Sequence, residues 1–234
     1  MQSKKKILLK LTGEIFLTEQ RTLTPAHINA IIEQIKQLSS THQFGIVIGG
    51  GNFFRGRDQG VTLGMTASVG HQAGMLATML NGLILKDLFE QHGIKTTLLC
   101  AITCPEVGES ISHQAILGAA KNSSIIIFTG GTGNPFFTND TNAVIRALQI
   151  EADEIWKGTN VPGVYDADPK KNAQAKLLKN VSYQEALDLN LGIMDATAFT
   201  LAKQHNQPLR IFDIFAENAL IKAAHDKQFG STIT

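Results

Sequence analysis

Lys10 lies inside the apolar run Ile7-Leu8-Leu9-Lys10-Leu11 and is followed by Thr12-Gly13. A second segment reads Ile48-Gly49-Gly50-Gly51-Asn52-Phe53-Phe54-Arg55-Gly56, and a third Thr129-Gly130-Gly131-Thr132-Gly133-Asn134-Pro135. Glycine has no Cβ, so backbone N–H groups in such turns can converge on phosphate oxygens, and an adjoining helix N-terminus adds positive potential. One such segment is ordinary turn chemistry, whereas three following apolar runs point to a phosphate site. Lys10 and Arg55 supply charge where phosphoryl transfer needs it, since that reaction depends on neutralised oxygens held in line more than on covalent chemistry. The plainer reading of each is a solvated cation: a snorkelling lysine at a sheet edge and an arginine on an exposed loop.

Other chemistries are excluded by what is missing. No Gly-x-x-x-x-Gly-Lys-Ser/Thr occurs, and neither glycine cluster completes Gly-x-Gly-x-x-Gly. His-Glu-x-x-His, Cys-x-x-Cys and Gly-x-Ser-x-Gly are also absent, which removes the simplest metallohydrolase and serine-hydrolase proposals.

The elements that must position these residues are short and alternate along the chain. Ile7 to Leu11, Phe44 to Ile48, Thr96 to Cys100, Ile125 to Thr129, Glu154 to Lys157 and Leu209 to Ile214 are apolar runs, several of them rich in Ile and Val like buried parallel strands. Between them lie helical patterns. The clearest is Ile28, Ile31, Ile32, Ile35 and Leu38, with Thr24 as N-cap and Pro25 at the first helical position; Met75, Leu76, Met79, Leu80 and Leu83 form a second. This alternation predicts an α/β fold, a largely parallel sheet covered on both faces, with ligands bound beyond the carboxyl ends of its strands.

No linker divides the 234 residues, so one domain over 1–234 is expected, with Lys170 to Lys176 as a polar loop. With 43% hydrophobic residues, a chain of this length buries a core without disulfide or metal staples. The 21 Lys and Arg against 20 Asp and Glu give no global field to draw nucleic acid or an anionic membrane, so anion binding must be local. Cys100 and Cys104, if both extended on a strand, stand ~13 Å apart, beyond the ~7 Å reach of a disulfide, and read as reduced thiols. Lys4-Lys5-Lys6 mimics the start of a signal peptide, but Lys10, Thr12 and Glu14 interrupt the apolar stretch. Met75 to Leu85 is far short of the ~18 residues of a membrane span, and the expected location is cytoplasmic.

The segments Lys10 to Glu14, Gly49 to Gly56, Gly74-Met75-Leu76-Ala77-Thr78, Gly131 to Asp140 (Gly-Thr-Gly-Asn-Pro-Phe-Phe-Thr-Asn-Asp) and Val161 to Pro169 resemble the bacterial uridylate (UMP) kinases of the amino acid kinase superfamily. The similarity runs from about Lys5 to Thr232. It implies a three-layer αβα sandwich of eight or so strands, assembled as a homohexamer, that converts UMP and Mg·ATP to UDP and ADP. By the same resemblance Lys10, Arg55 and Asp140 are catalytic, and Lys10, Leu11, Thr12, Gly13, Gly51, Arg55, Thr159, Tyr165 and Asp168 bind ATP with its Mg²⁺. The UMP side comprises Gly50, His71, Thr132, Gly133, Asn134, Pro135, Phe136, Phe137, Thr138 and Asn139, where Thr138 and Asn139 side chains would read the uracil edge. No protein-ligated metal, nucleic acid or membrane partner is implied. Alternatives remain residue by residue: Asp140 as a helix N-cap, Phe136 and Phe137 as core, and Asp166-x-Asp168 as an Asx turn. Asp195 matches a family position at which some relatives carry a second lysine, and receives no catalytic role.

The chain departs from the family in Ala67 to Gly74, where relatives carry an Arg near Ser68 and an Asp at the position of His71 that binds the UMP ribose. An imidazole offers one acceptor nitrogen where a carboxylate accepts from both hydroxyls, so UMP binding is expected to weaken by ~0.5 to 1.5 kcal/mol, unless Gln72 or water takes over or His71 merely packs its helix. In GTP-activated relatives, basic residues occupy the positions of Lys86, Glu90, Thr97 and Ser124; only Lys86 is basic here, and weak or absent GTP activation is expected. The rival reading is a nucleotide- or oxyanion-binding regulator or storage hexamer on the same scaffold. Phosphorylation of a carboxylate or carbamate, as in other branches of the superfamily, is a third.

Overall fold

The computed structural model describes residues 4–167, 172 and 174–234. Asp168 and part of the Lys170 to Lys176 loop lie outside the described residues. In chain order the elements are β1 (Lys5–Leu11), α1 (Ala26–Leu38), β2 (His42–Ile48), α2 (Ala67–Gln91), β3 (Thr96–Cys100), β4 (Glu109–Ser110), α3 (His113–Asn122), β5 (Ile125–Thr129) and α4 (Asn139–Ile150). They continue as β6 (Glu154–Thr159), β7 (Val164–Tyr165), β8 (Leu177–Leu178), β9 (Asn180–Val181), α5 (Tyr183–Asp188), α6 (Ala196–Gln204), β10 (Leu209–Asp213), α7 (Ala219–His225) and β11 (Ser231–Ile233).

One nine-stranded sheet runs β4-β3-β5-β2-β1-β6-β10-β11-β9, and β7 and β8 form a separate hairpin. All neighbours pair in parallel except β10 with β11. Six of these strands match the six apolar runs to within two residues at either end. The count exceeds the expected eight because β4 and β9, two residues each, have too little apolar pattern to be visible in sequence.

Side chains alternate between the faces of a strand. Ile7, Leu9 and Leu11 therefore join a core with α1, α2 and α7, whereas Leu8 joins a second core with α3, α4, α5 and α6. These are the two cores of an αβα sandwich, and they explain why the central strands are apolar on both faces. The connection from β1 lies on one face of the sheet and that from β6 on the other, so a crevice opens between their carboxyl ends.

Two helix starts differ from expectation. The first lies one residue later, at Ala26, whose N–H donates to the Thr24 hydroxyl at 3.2 Å. The second, α2, begins eight residues before Met75, because Gly70 packs backbone to backbone on the single helical turn Gly56–Gly60. β3 ends at Cys100, so the extended path to Cys104 does not exist; both thiols are nonetheless free. No helix among the described residues is long and apolar enough to cross a membrane.

Candidate active site

Lys10 alternates onto the Leu8 face of β1, the face covered by α4. Lys157 of β6 is its register partner, and it lies on the same face as Ile155. Two ammonium groups on adjacent buried strands need an anion, which the first turn of α4 provides. Lys10 Nζ is 3.2 Å from Asp140 Oδ1, and Lys157 Nζ is 2.7 Å from Asp140 Oδ2.

Asp140 is not the N-cap of α4. That place is taken by Thr138, whose hydroxyl accepts from the N–H groups of Asp140 and Thr141, leaving the Asp140 carboxylate free for the lysines. The Thr138 hydroxyl donates in turn to Asp195, while Thr138 itself lines the smaller of the two cavities beside the site. Asp195 also accepts from Thr141 and caps α6 through the Ala198 N–H, a structural role that holds α4 and α6 together.

Burial alone would raise the Asp140 pKa, but the charges of Lys10 and then Lys157 outweigh it and hold the carboxyl below the usual range. Lys157 is pushed below the usual lysine range by burial first; Lys10 adds to this and Asp140 opposes it. Lys157 also donates to the Ile193 carbonyl at 2.6 Å, whereas Lys10 makes no hydrogen bond among the described residues. Its contact with Asp140 lacks hydrogen-bond geometry and leaves Oδ1 without a partner. Lys10 is thus held by its ion pair with Asp140 and keeps donors for a ligand.

Two cavities lie near this triad, of whose members only Lys157 lines a wall directly. The smaller, about 190 Å³, is lined by Gly50, Gly51, Arg55, His71, Phe137 and Asn139 among others. The larger, about 600 Å³, is lined by Lys157, Thr159, Val161, Val164, Tyr165 and Ile193 among others. Asp140 therefore links them: it follows Asn139 of the small cavity and pairs with Lys157 of the large one. Arg55 reaches Glu14 Oε1 at 3.0 Å and donates from Nε to Gly51 O at 3.2 Å, so its guanidinium is held over the β1 and β2 loops.

The remaining sequence candidates are placed less uniformly. Leu11 is buried, its carbonyl accepting from the Gly49 N–H, while Thr12 caps the turn Gly13–Phe16. The Thr159 hydroxyl donates to Val161 O at 2.9 Å. Thr132, Gly133, Asn134, Pro135 and Phe136 stand off the wall of the small cavity, with Thr132 and Asn134 bonded to each other. Phe136 adopts φ +71, unusual for a side chain of this size, and is 64% exposed, so it is not core; Phe137 is exposed as well but does line the cavity. The Phe136 ring lies against His71, centroids 5.1 Å apart.

The chain matches the model of the amino acid kinase family over residues 5–213. It is 45% identical to the uridylate kinase of Mycoplasma pneumoniae over 93% of this chain and 94% of that one, and 40% identical to that of Pseudoalteromonas atlantica over 98% and 93%. The crystal structure of UMP kinase from Ureaplasma parvum superimposes with a TM-score of 0.94 at 34% identity, covering both chains fully. The chain belongs to the uridylate kinases of the amino acid kinase family. As a uridylate kinase it is an enzyme of the nucleoside monophosphate kinase class.

Within this kinase the geometry adds Lys157, by its sequence only the end of an apolar run, and gives Glu14 and Asp195 supporting contacts. The signal for Lys157 was present: it is a lysine in a buried strand, as Lys10 is.

Proposed function

We propose that the chain transfers the γ-phosphoryl group of Mg·ATP to UMP, giving UDP and ADP in pyrimidine nucleotide synthesis. The observation that carries this reading is the shared carboxylate: Asp140 holds two ammonium groups, one of them on the wall of the large cavity, and follows Asn139 on the wall of the small one. A phosphate monoester oxygen is already anionic near neutral pH and needs no general base, so catalysis reduces to positioning and charge stabilisation. Lys10, with open donors, would meet the oxygens of the group in transit. Lys157 would act from the ATP side, and Arg55 could exchange Glu14 for phosphate.

ATP fits the larger cavity, where Val161, Val164 and Ile193 offer apolar contacts to a base. UMP fits the smaller, with Gly50, His71, Phe137 and Asn139 on its wall. The carboxylates near the reaction centre do not suit a protein-held metal: Asp140 is paired with two lysines and Asp195 is hydrogen-bonded to Thr138 and Thr141. Magnesium therefore belongs to this reading as an ion carried on the triphosphate, which is how a hard, well-hydrated cation commonly arrives.

The homohexamer and the cytoplasmic location are part of the same proposal and rest on the family resemblance. In support of contact between copies, α2 exposes Val69, Leu76, Leu80 and Leu83 along one side. Light scattering coupled to gel filtration should give six chains, and a monomer would overturn that assignment.

The reaction is tested by ADP release with Mg·ATP and UMP, CMP, dUMP or no acceptor. Turnover with UMP alone is expected. Binding of UMP or ATP with no phosphorylation of any acceptor would replace the kinase reading by a nucleotide-binding one.

A further inference from the structure

The side of α2 that faces the site is polar at two buried positions one turn apart, Thr78 and Asn81, which are 3% and 0% exposed. Each bonds to a different glycine segment. The Gly130 N–H donates to the Thr78 hydroxyl at 2.9 Å, and that hydroxyl donates to Met75 O at 2.7 Å. Asn81 Nδ2 donates to Gly49 O at 2.6 Å and to Asn52 Oδ1 at 2.7 Å, and Asn52 Nδ2 donates back to Asn81 Oδ1 at 3.0 Å.

The third segment is held through the second. Asn52 Oδ1 sits where a Cβ on Gly13 would be, so the Asn52–Asn81 pair abuts the loop that follows Lys10. Backbone contact completes the arrangement. A Cβ on Gly50 would stand 2.8 Å from Thr78 N and from Ala77 Cβ, and one on Gly131 would stand 3.1 Å from Met75 Cγ.

We infer that Thr78 and Asn81 are positioning residues, a latch on α2 that sets all three glycine segments of the nucleotide site in register with one another. Thr78 also lines the small cavity, but its hydroxyl is engaged with the Gly130 N–H and the Met75 carbonyl, so each residue acts through the backbone of a loop. The reason for polar residues here is specific. An apolar α2 face would bury the Gly130 N–H and the Gly49 carbonyl without partners, and such groups return to pairing by shifting the loop. Because the Gly130 segment leads into Gly131 and Phe137 on the UMP side, losing the Thr78 hydroxyl should misplace that wall selectively. Losing Asn81 should loosen the Gly49 to Asn52 turn, which carries Gly50 and Gly51 on the wall of the small cavity and abuts the loop after Lys10.

The inference rests on the proposed reaction, so its test has one arm that needs no activity. In the wild-type protein, amide hydrogen exchange at Gly130 should be slow despite its place in a loop, and Thr78→Val, matched in shape, should accelerate it. An unprotected Gly130 amide in the wild type would overturn the latch. In steady-state assays Thr78→Val should raise KM for UMP about three- to tenfold with KM for ATP within twofold, the size expected for one hydrogen bond. Thr78→Ser, which keeps the hydroxyl, should recover most of the loss. Asn81→Ala should lower kcat and raise KM for UMP. A folded Thr78→Val with faster Gly130 exchange but wild-type kinetics would overturn the positioning role. A wild type inactive toward UMP would overturn the proposed function instead, leaving the exchange arm to decide the latch.

Discussion

Lys10 and Lys157 are register partners on adjacent parallel strands, and their ammonium groups contact opposite oxygens of one carboxylate, that of Asp140. Like charges placed side by side with little solvent are tolerated only because the anion lies between them.

Removing that anion should therefore affect stability and catalysis together. Asp140→Asn keeps the shape and leaves two positive charges facing each other, with an expected loss of about 3 kcal/mol in urea unfolding, the scale for one partner lost from a buried pair. The same variant should lose at least ~100-fold in kcat, as when a preorganised electrostatic group is removed. Asp140→Asn combined with Lys157→Met should regain much of the stability and none of the activity. If the single variant unfolds like wild type, the triad is not under electrostatic tension.

The alkaline limb of the kcat profile should report Lys157. Its pKa is lowered by burial and by Lys10 against the pull of Asp140 and Asp195, so it loses its proton at a pH where solvated lysines keep theirs. The sign for stability is opposite to that for rate. Between the lowered pKa and the ordinary value near ~10.4 the folded state binds fewer protons than the unfolded, so folding strengthens with pH while kcat falls. Lys157→Arg should move the limb to higher pH, at whatever residual rate it retains; an unmoved limb would assign that titration elsewhere.

His71 lines the small cavity and lies against Phe136. His71→Asp should lower KM for UMP by up to about tenfold, the value of one good hydrogen bond to a ribose hydroxyl, with KM for ATP unchanged. An unchanged KM for UMP would make the His71 ring a packing partner of Phe136 and nothing more.

GTP should leave the initial rate at subsaturating UMP unchanged. Lys86, the one basic residue among the four corresponding positions, is paired with Glu90 at 2.7 Å, and the Thr97 hydroxyl is bonded to Ser123. The site that would greet a triphosphate is thus close to neutral. Several-fold activation would contradict this.

Much of the site was legible from local pattern. A lysine inside an apolar strand and glycine runs after three strands are short-range signals, and they located Lys10, Gly50, Gly51 and the Gly130 segment without knowledge of neighbours. The six main strands were legible for the same reason, since burial on both faces writes continuous apolar runs.

Three features were not legible. The extent of α2 was hidden because Gly70 and Gly74 argue against a helix locally, and only the close approach of Gly56 makes Gly70 necessary there. The engagement of Thr138 by Asp195 joins residues 57 positions apart. Lys157 is a different case: a lysine in a buried strand is the same local signature as Lys10, and what no local pattern carries is its pairing with Asp140.

The sequence by itself determined which residues could carry charge in a buried strand, where backbone could turn without a Cβ, and which faces had to be covered. Which of those residues meet was decided only by the tertiary structure. Sheet order placed β6 beside β1, parallel register set Lys157 opposite Lys10, and α4 crossed the same face with Asp140 in its first turn. Strand order and register arise from the packing of both sheet faces at once, a property of the whole chain that no local window contains.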